Sequence, residues 1–279
     1  MDASGLYRNI LPKASYLCVG LDSDMDKIPG HLKKEQYPVF EFNRAIVEAT
    51  HKYCVAYKIN TAFYEALGSK GWETLKQTAA YIKENHPEIF LIADAKRGDI
   101  GNTAQKYAQT FFSTLNFDAV TIAPYMGRDS IQPFLEYTDK WVVILGLTSN
   151  KGAADFQYFH SSQENQYLYE KVITEAAKWG SEDNTMFVVA ATRPEELKRI
   201  RNIIPNHFLL VPGVGAQGGS LEEVSRQGMN HLCGLLINAS RSIIFADSSE
   251  QFAATAAAQA RKMQQDMKQY LIGTTGRTA

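Results

Sequence analysis

The sequence predicts a closed (β/α)8 barrel. Eight short runs of β-branched and aromatic residues recur along the chain, each followed by a longer stretch with helical periodicity, and no Pro/Gly/Ser-rich linker divides the 279 residues. The runs are YLCVGLD (16–22), VAYKIN (55–60), FLIADAK (90–96), AVTIAP (119–124), WVVILGLT (141–148), TMFVVAA (185–191), FLLVPGV (208–214) and CGLLINAS (233–240). They recur about every 31 residues, the size of one strand–helix–strand unit. Most are apolar at consecutive positions, as parallel strands buried on both faces should be. An open doubly wound sheet gives the same local pattern, and the number of units favours the barrel. The expected domain is the whole of 1–279, with 272–279 as a mobile tail.

The connecting segments carry helix punctuation. Thr192-Arg-Pro-Glu195 and Ser248-Ser-Glu-Gln251 both fit a capping box. After the second, Phe252, Ala256, Ala260, Met263 and Met267 keep the three-to-four spacing of a core-facing stripe. Two segments break the rhythm: the charged 23–36 after the first run, and 149–166, polar with aromatics, after the fifth. Both belong to the face of a barrel where sites are built, and the second is a candidate lid.

Composition narrows the function classes. A net charge of −1 supplies no broad cationic face for a nucleic-acid backbone. Cys18, Cys54 and Cys233 form no C-x-x-C pair and suggest a reducing compartment. The longest apolar stretch, Trp141 to Leu147, is about a third of the ~20 residues a bilayer span needs. The amino terminus lacks an apolar signal core, so the expected location is cytoplasmic, with no membrane partner. The six histidines occur singly and call for no metal.

Polar residues at the carboxyl ends of apolar runs are the most informative feature: Asp22 in the first, Lys58 and Asn60 in the second, Asp94 and Lys96 in the third, Thr148 and Ser149 at the fifth. Asp94 and Lys96 are two apart and so share a strand face, and Asp99 follows across a short turn. Two lysines and two or three carboxylates should therefore meet at the barrel mouth and titrate as a coupled set. A second cluster is VPGVGAQGG (211–219), where Pro212, Gly213 and the glycines beyond allow backbone amides to surround an anion, with Gln217 as a further donor. Arg241, after Ser240 at the end of the eighth run, is placed to grip a phosphate bidentately, and loops after strands seven and eight are the usual phosphate site of such barrels.

These residues carry a resemblance. LIADAKRGDIGNTA (91–104) resembles the D-x-K-x-x-D-I-G-x-T signature of the orotidine 5'-phosphate decarboxylase family at every defining position. The likeness extends through Asp22, Lys58, Ser149, the PGVGAQGG loop and Arg241, and AYKINTAFYEALG resembles the longer bacterial branch. The resemblance implies conversion of orotidine 5'-monophosphate to uridine 5'-monophosphate and carbon dioxide in pyrimidine biosynthesis, without metal or organic cofactor. It makes Lys58, Asp94, Lys96 and Asp99 the catalytic array. Asp22 and Lys58 would meet the ribose, Ser149 the pyrimidine, and Gln217 and Arg241 the phosphate, with Asn60, Pro212, Gly213 and Ser240 as further substrate-binding residues. It also implies a homodimer in which Asp99 and Thr103 reach the neighbouring subunit's site. One departure is Ser240, where many members place glycine before the arginine.

The chemistry agrees. Loss of carbon dioxide leaves a carbanion that the ring cannot delocalise, so fixed charge must stabilise it, and ammonium Lys96 is the expected proton donor. Three rivals remain: a magnesium-dependent sugar-phosphate decarboxylase or hexulose-phosphate synthase, a Schiff-base aldolase through Lys58 or Lys96, and a catalytically silent nucleotide-phosphate sensor.

Overall fold

Short apolar strands buried on both faces need a neighbour on each side, and this sheet meets the need by closing on itself. The computed structural model describes residues 1–191, 194–214 and 219–275, with only the main chain for Pro194 and residues 272–275. Strands β1 (Leu17–Gly20), β2 (Ala56–Asn60), β3 (Phe90–Arg97), β4 (Ala119–Ile122), β5 (Trp141–Leu147), β6 (Thr185–Val189), β7 (Phe208–Pro212) and β8 (Leu235–Ala239) are all parallel. Each pairs with the next, and β8 returns to β1 through Leu17–Ile237 and Cys18–Asn238.

Each expected run contains one barrel strand with trimmed ends. β1 stops at Gly20, so Asp22 stands in the loop beyond it. β8 starts at Leu235 because Cys233 and Gly234 are left-handed, with φ of 65° and 66°. A helix not anticipated from the sequence, α1 (Ala3–Lys13), precedes β1. Asp2 caps it by accepting from the Gly5 amide at 2.7 Å, and Leu6 and Ile10 are buried. It lies under the barrel, where Trp141 Nε1 donates to the Met1 carbonyl at 2.6 Å and Asn9 Nδ2 to that of Glu88 at 2.6 Å.

Alternation along the strands decides what points inward. Phe90, Trp141 and Phe208 begin β3, β5 and β7, and their rings meet edge to face at 5.8 and 6.2 Å. Rings from strands that are not neighbours can meet only inside the barrel. Counting by twos from each then sends Asp94 and Lys96, Leu145, and Leu210 and Pro212 into the same interior, towards its far end.

The C-terminal helix (Phe252–Thr275) buries Phe252, Ala256, Ala260 and Met267, with Met263 half-buried, as the stripe predicted. It continues through Thr275, into the expected tail, and 276–279 lie outside the described residues. The Ser248–Gln251 capping box does not form. The helix begins beyond it, and Asp247 organises the entry by accepting from the Ser249 amide at 2.8 Å and Thr255 Oγ1 at 3.1 Å. The Thr192–Glu195 box falls partly outside the described residues. Among the described residues no helix is long and apolar enough to cross a membrane.

One buried polar network fixes the loop after β1. Asn43, on α2 (Pro38–Thr50), accepts from Ser23 Oγ at 2.6 Å. It donates to Tyr64 Oη at 2.9 Å, on α3 (Ala62–Glu65), and to Thr78 Oγ1 at 3.0 Å, on α4 (Gly68–Asn85). Tyr64 in turn donates to the Leu21 carbonyl at 3.1 Å. Both residues flanking Asp22 are thus tied to one amide. Replacing Asn43 by leucine takes a hydrogen bond from each of three buried hydroxyls, and we expect a loss of about 2–4 kcal/mol, read as a lower urea midpoint. An unchanged midpoint would show that the network contributes nothing to stability.

Candidate active site

The carboxyl ends of the strands surround a cavity of about 450 Å³. Its deeper wall is apolar, from Leu145, Val188 and Leu210, and its rim carries charge. Asp22, Lys58, Asn60, Asp94 and Lys96 line one side. Ser149, Pro212, Gly213, Ser240 and Arg241 line the other. With Thr148, also at the wall, the structure brings eleven of the residues singled out in the sequence to one cavity.

Four of them form an unbroken chain of alternating charge. Lys58 Nζ lies 3.0 Å from Asp22 Oδ1 and 3.0 Å from Asp94 Oδ2. Lys96 Nζ lies 2.6 Å from Asp94 Oδ1. Burial works against the Lys58 ammonium, but Asp22 and Asp94 outweigh it and push its pKa above the ordinary lysine value. Burial likewise opposes the Asp94 carboxylate, and Lys58 and Lys96 overcome it, bringing Asp94 down to about 2. The ion pairs thus favour the ionised forms of Lys58 and Asp94. Lys96 differs from Lys58 in exposure: half of its side chain faces the cavity or solvent, against 6% for Lys58. A cation that is anchored on one side and accessible on the other can meet a reacting atom.

The backbone explains how Lys96 reaches that position. Its φ is +46°, in the left-handed region that a lysine rarely adopts, and the β3–β4 register shifts between Ala93 and Arg97. Thr121, interior-facing on β4, holds the kink together. Its Oγ1 accepts from the Lys96 amide at 2.8 Å and donates to Asp94 Oδ1 at 3.0 Å. Thr121 was not anticipated from the sequence, although an isolated hydroxyl at an inward position of an apolar strand is a usable signal.

On the opposite side, Gly213 has a φ of +94° as the chain leaves β7, a turn that glycine makes without strain. Gln217 lies outside the described residues. Arg241 opens a short helical turn and is exposed to the cavity. The Ser240 side chain stands where a Cβ on Gly20 would come within 2.8 Å of its own Cβ, so glycine on β1 is what admits serine just after β8. Ser240 Oγ and the neighbouring Asn238 Oδ1 are both buried without a hydrogen-bond partner among the described residues. Asn238, also at the cavity wall, was not anticipated.

Asp99 and Thr103 stand apart from this cavity. Asp99 Oδ1 accepts from the Ile100 amide at 2.8 Å, and Thr103 is exposed on the helix Gly101–Ala108. The long loop after Ser149 is folded. It holds a helical turn (Ala153–Phe156) and a two-stranded hairpin (His160–Ser161 with Gln166–Tyr167). Gln157 fastens it to the barrel by accepting from the Thr148 amide at 2.8 Å and donating to Thr148 Oγ1 at 2.8 Å.

This geometry has close relatives. A protein of Phocaeicola vulgatus named orotidine 5'-phosphate decarboxylase is 55% identical over 271 residues, 97% of this chain and 99% of its own length. A protein of the same name from Christiangramia forsetii is 56% identical over 267 residues, covering 96% and 97%. Among solved structures, Leishmania donovani OMP decarboxylase superposes with a TM-score of 0.83 at 35% identity, covering 98% of this chain and 99% of that one. The family model described as orotidine 5'-phosphate decarboxylase / HUMPS matches residues 15–256, the barrel and its array included, and the chain belongs to that family.

Proposed function

We propose that the protein is an orotidine 5'-phosphate decarboxylase, converting orotidine 5'-monophosphate to uridine 5'-monophosphate and carbon dioxide in pyrimidine biosynthesis. The observation that carries this reading is Lys96 Nζ, held 2.6 Å from Asp94 at the rim of a cavity whose opposite side carries Arg241. The names of the relatives at 55 and 56% identity support it over the magnesium-dependent sugar-phosphate rival.

Each residue then has a task. Arg241, the Pro212–Gly213 turn and Gln217 hold the phosphate, far from the reacting carbon. Binding energy gathered there keeps the pyrimidine over the array. Asp22 and Lys58 meet the ribose hydroxyls, and Asn60 and Ser149 lie towards the base. The substrate carboxylate enters beside Asp94, whose low pKa keeps it anionic, so like charge raises the bound ground state. As the carbon–carbon bond breaks, its electron pair stays on the ring carbon and carbon dioxide departs. The Lys96 ammonium stabilises that pair and passes it a proton. The reaction needs no electron sink beyond this cation, in keeping with a mechanism free of metal and cofactor.

We further infer a homodimer in which Asp99 and Thr103 serve the partner's cavity. Both stand apart from their own cavity, and Ile100, Tyr125 and Met126 beside them are exposed apolar side chains. The Ala123 amide donates to the Arg97 carbonyl at 2.8 Å, which holds these two loops together as one surface. The buried thiols of Cys18, Cys54 and Cys233 suit a cytoplasmic setting.

Chelator-treated protein mixed with orotidine 5'-monophosphate should lose the substrate's ultraviolet absorbance at an undiminished rate. A rate restored only by magnesium would favour the sugar-phosphate reading. Lys96→Ala should lower kcat by about 10⁴-fold or more while leaving nucleotide binding measurable. Arg241→Ala should lower kcat/KM by about 10²–10³-fold, and unchanged kinetics would remove Arg241 from the phosphate site. Asp99→Ala should be inactive alone yet regain part of its activity when mixed with Lys96→Ala, because mixed dimers rebuild one complete site. No recovery on mixing would sink the shared-site arrangement.

A further inference from the structure

The end of the barrel opposite the cavity holds a second group of ligating side chains. Glu48 sits in the last turn of α2, His51 immediately follows that helix, and His86 immediately follows α4. Helices run back along the barrel, so these ends lie where β2 and β3 begin. The Lys13 ammonium of α1, from beneath the barrel, donates to the His51 carbonyl at 2.9 Å. Read singly along the chain, the two histidines carry no signal. In the fold their rings lie 4.2 Å apart between centroids.

We propose that Glu48, His51 and His86 form a binding site for a divalent transition metal, with Zn²⁺ as the ion that suits the donors. One donor atom from each residue lies within 4.8 Å of the other two. Zn²⁺ bonds nitrogen and oxygen at about 2.0–2.2 Å, which sets the edges of its tetrahedron near 3.4 Å. His86 Nε2 and Glu48 Oε1, at 2.9 Å, are already that close. His51 has to approach by about 1.5 Å at most, a side-chain adjustment on a half-buried residue. Two imidazoles and a carboxylate are a zinc set that leaves the fourth position to water.

The surroundings fit. Tyr81 Oη donates to Glu48 Oε1 at 2.8 Å, the kind of outer hydrogen bond that holds a ligating carboxylate in place. His86 is only 8% exposed, so its ring is fixed by packing. The Lys13 ammonium beside the cluster is engaged by the His51 and Cys54 carbonyls and by Glu88. The ion would join the ends of α2 and α4, whose middles already share the Asn43–Thr78 hydrogen bond. It is remote from the reacting groups and stands independently of the proposed reaction.

The test is calorimetric titration of the chelator-treated full-length protein with ZnCl₂, paired with thermal denaturation and turnover. We expect one ion per chain and a thermal midpoint raised by about 5 °C at a hundredfold excess over Kd. Decarboxylation should be unchanged by the metal. His86→Ala and the more conservative Glu48→Gln should each raise Kd by at least about tenfold, with turnover intact as proof of folding. The absence of saturable binding would overturn the proposal and leave the cluster as a hydrogen-bonded pin. Equal binding by the wild type and both variants would also overturn it, by putting the ion elsewhere.

Discussion

Closure of the sheet dictates where every functional side chain can go. A parallel strand offers alternate residues to its two faces, and once eight strands close, one face becomes a filled interior with a single chemically open end. The aromatic layer of Phe90, Trp141 and Phe208 plugs the opposite end. Lys58 and Asp94 then reach the open end by counting alone, and Lys96 by counting together with the kink at its own backbone. A shift of one residue in β3 would turn Asp94 and Lys96 out against the helices and leave Lys58 between unmatched neighbours.

Within that frame, the charged chain is stable because no member stands alone. Lys58 has a carboxylate on each side and Asp94 an ammonium on each side, so both keep their charges despite burial. Removing Lys58 strands Asp22 and removing Asp94 strands Lys96, and an ion left without its partner is costlier than never having built the pair. The left-handed Lys96 is the local cost of directing an ammonium from a strand end into the cavity, and Thr121 binds both halves of that kink. Fixed charge and fixed backbone are prerequisites for electrostatic work without reorganisation.

Much of this was legible in the sequence because it depends on period and spacing. Eight apolar runs separated by helical segments specify the barrel, and residues two apart on one strand specify a shared face. The helix before β1 escaped notice because it belongs to no strand–helix repeat. Asp22 was placed within β1 and stands beyond it, since the apolar run does not mark where the ladder ends. Thr121 and Asn43 act through partners distant in the chain, which local patterns do not register. The same holds for His51 and His86, brought together only when α2 and α4 pack side by side. Ser240, a departure from the family pattern, became intelligible only beside Gly20.

The three cysteines have a practical side. All are free, and each is at most 1% exposed. Burial pushes the thiols of Cys54 and Cys233 up to about 11 and about 12, and that of Cys18 above its ordinary value. Thiolate is the species that alkylating reagents and oxidants attack, so the folded chain presents almost no nucleophilic sulfur at neutral pH. A single cysteine introduced on the surface would be chemically distinct from the native three. The barrel is thereby suited to carrying one spectroscopic label at a chosen position, for instance on the hairpin of the loop after Ser149, without first stripping its own thiols.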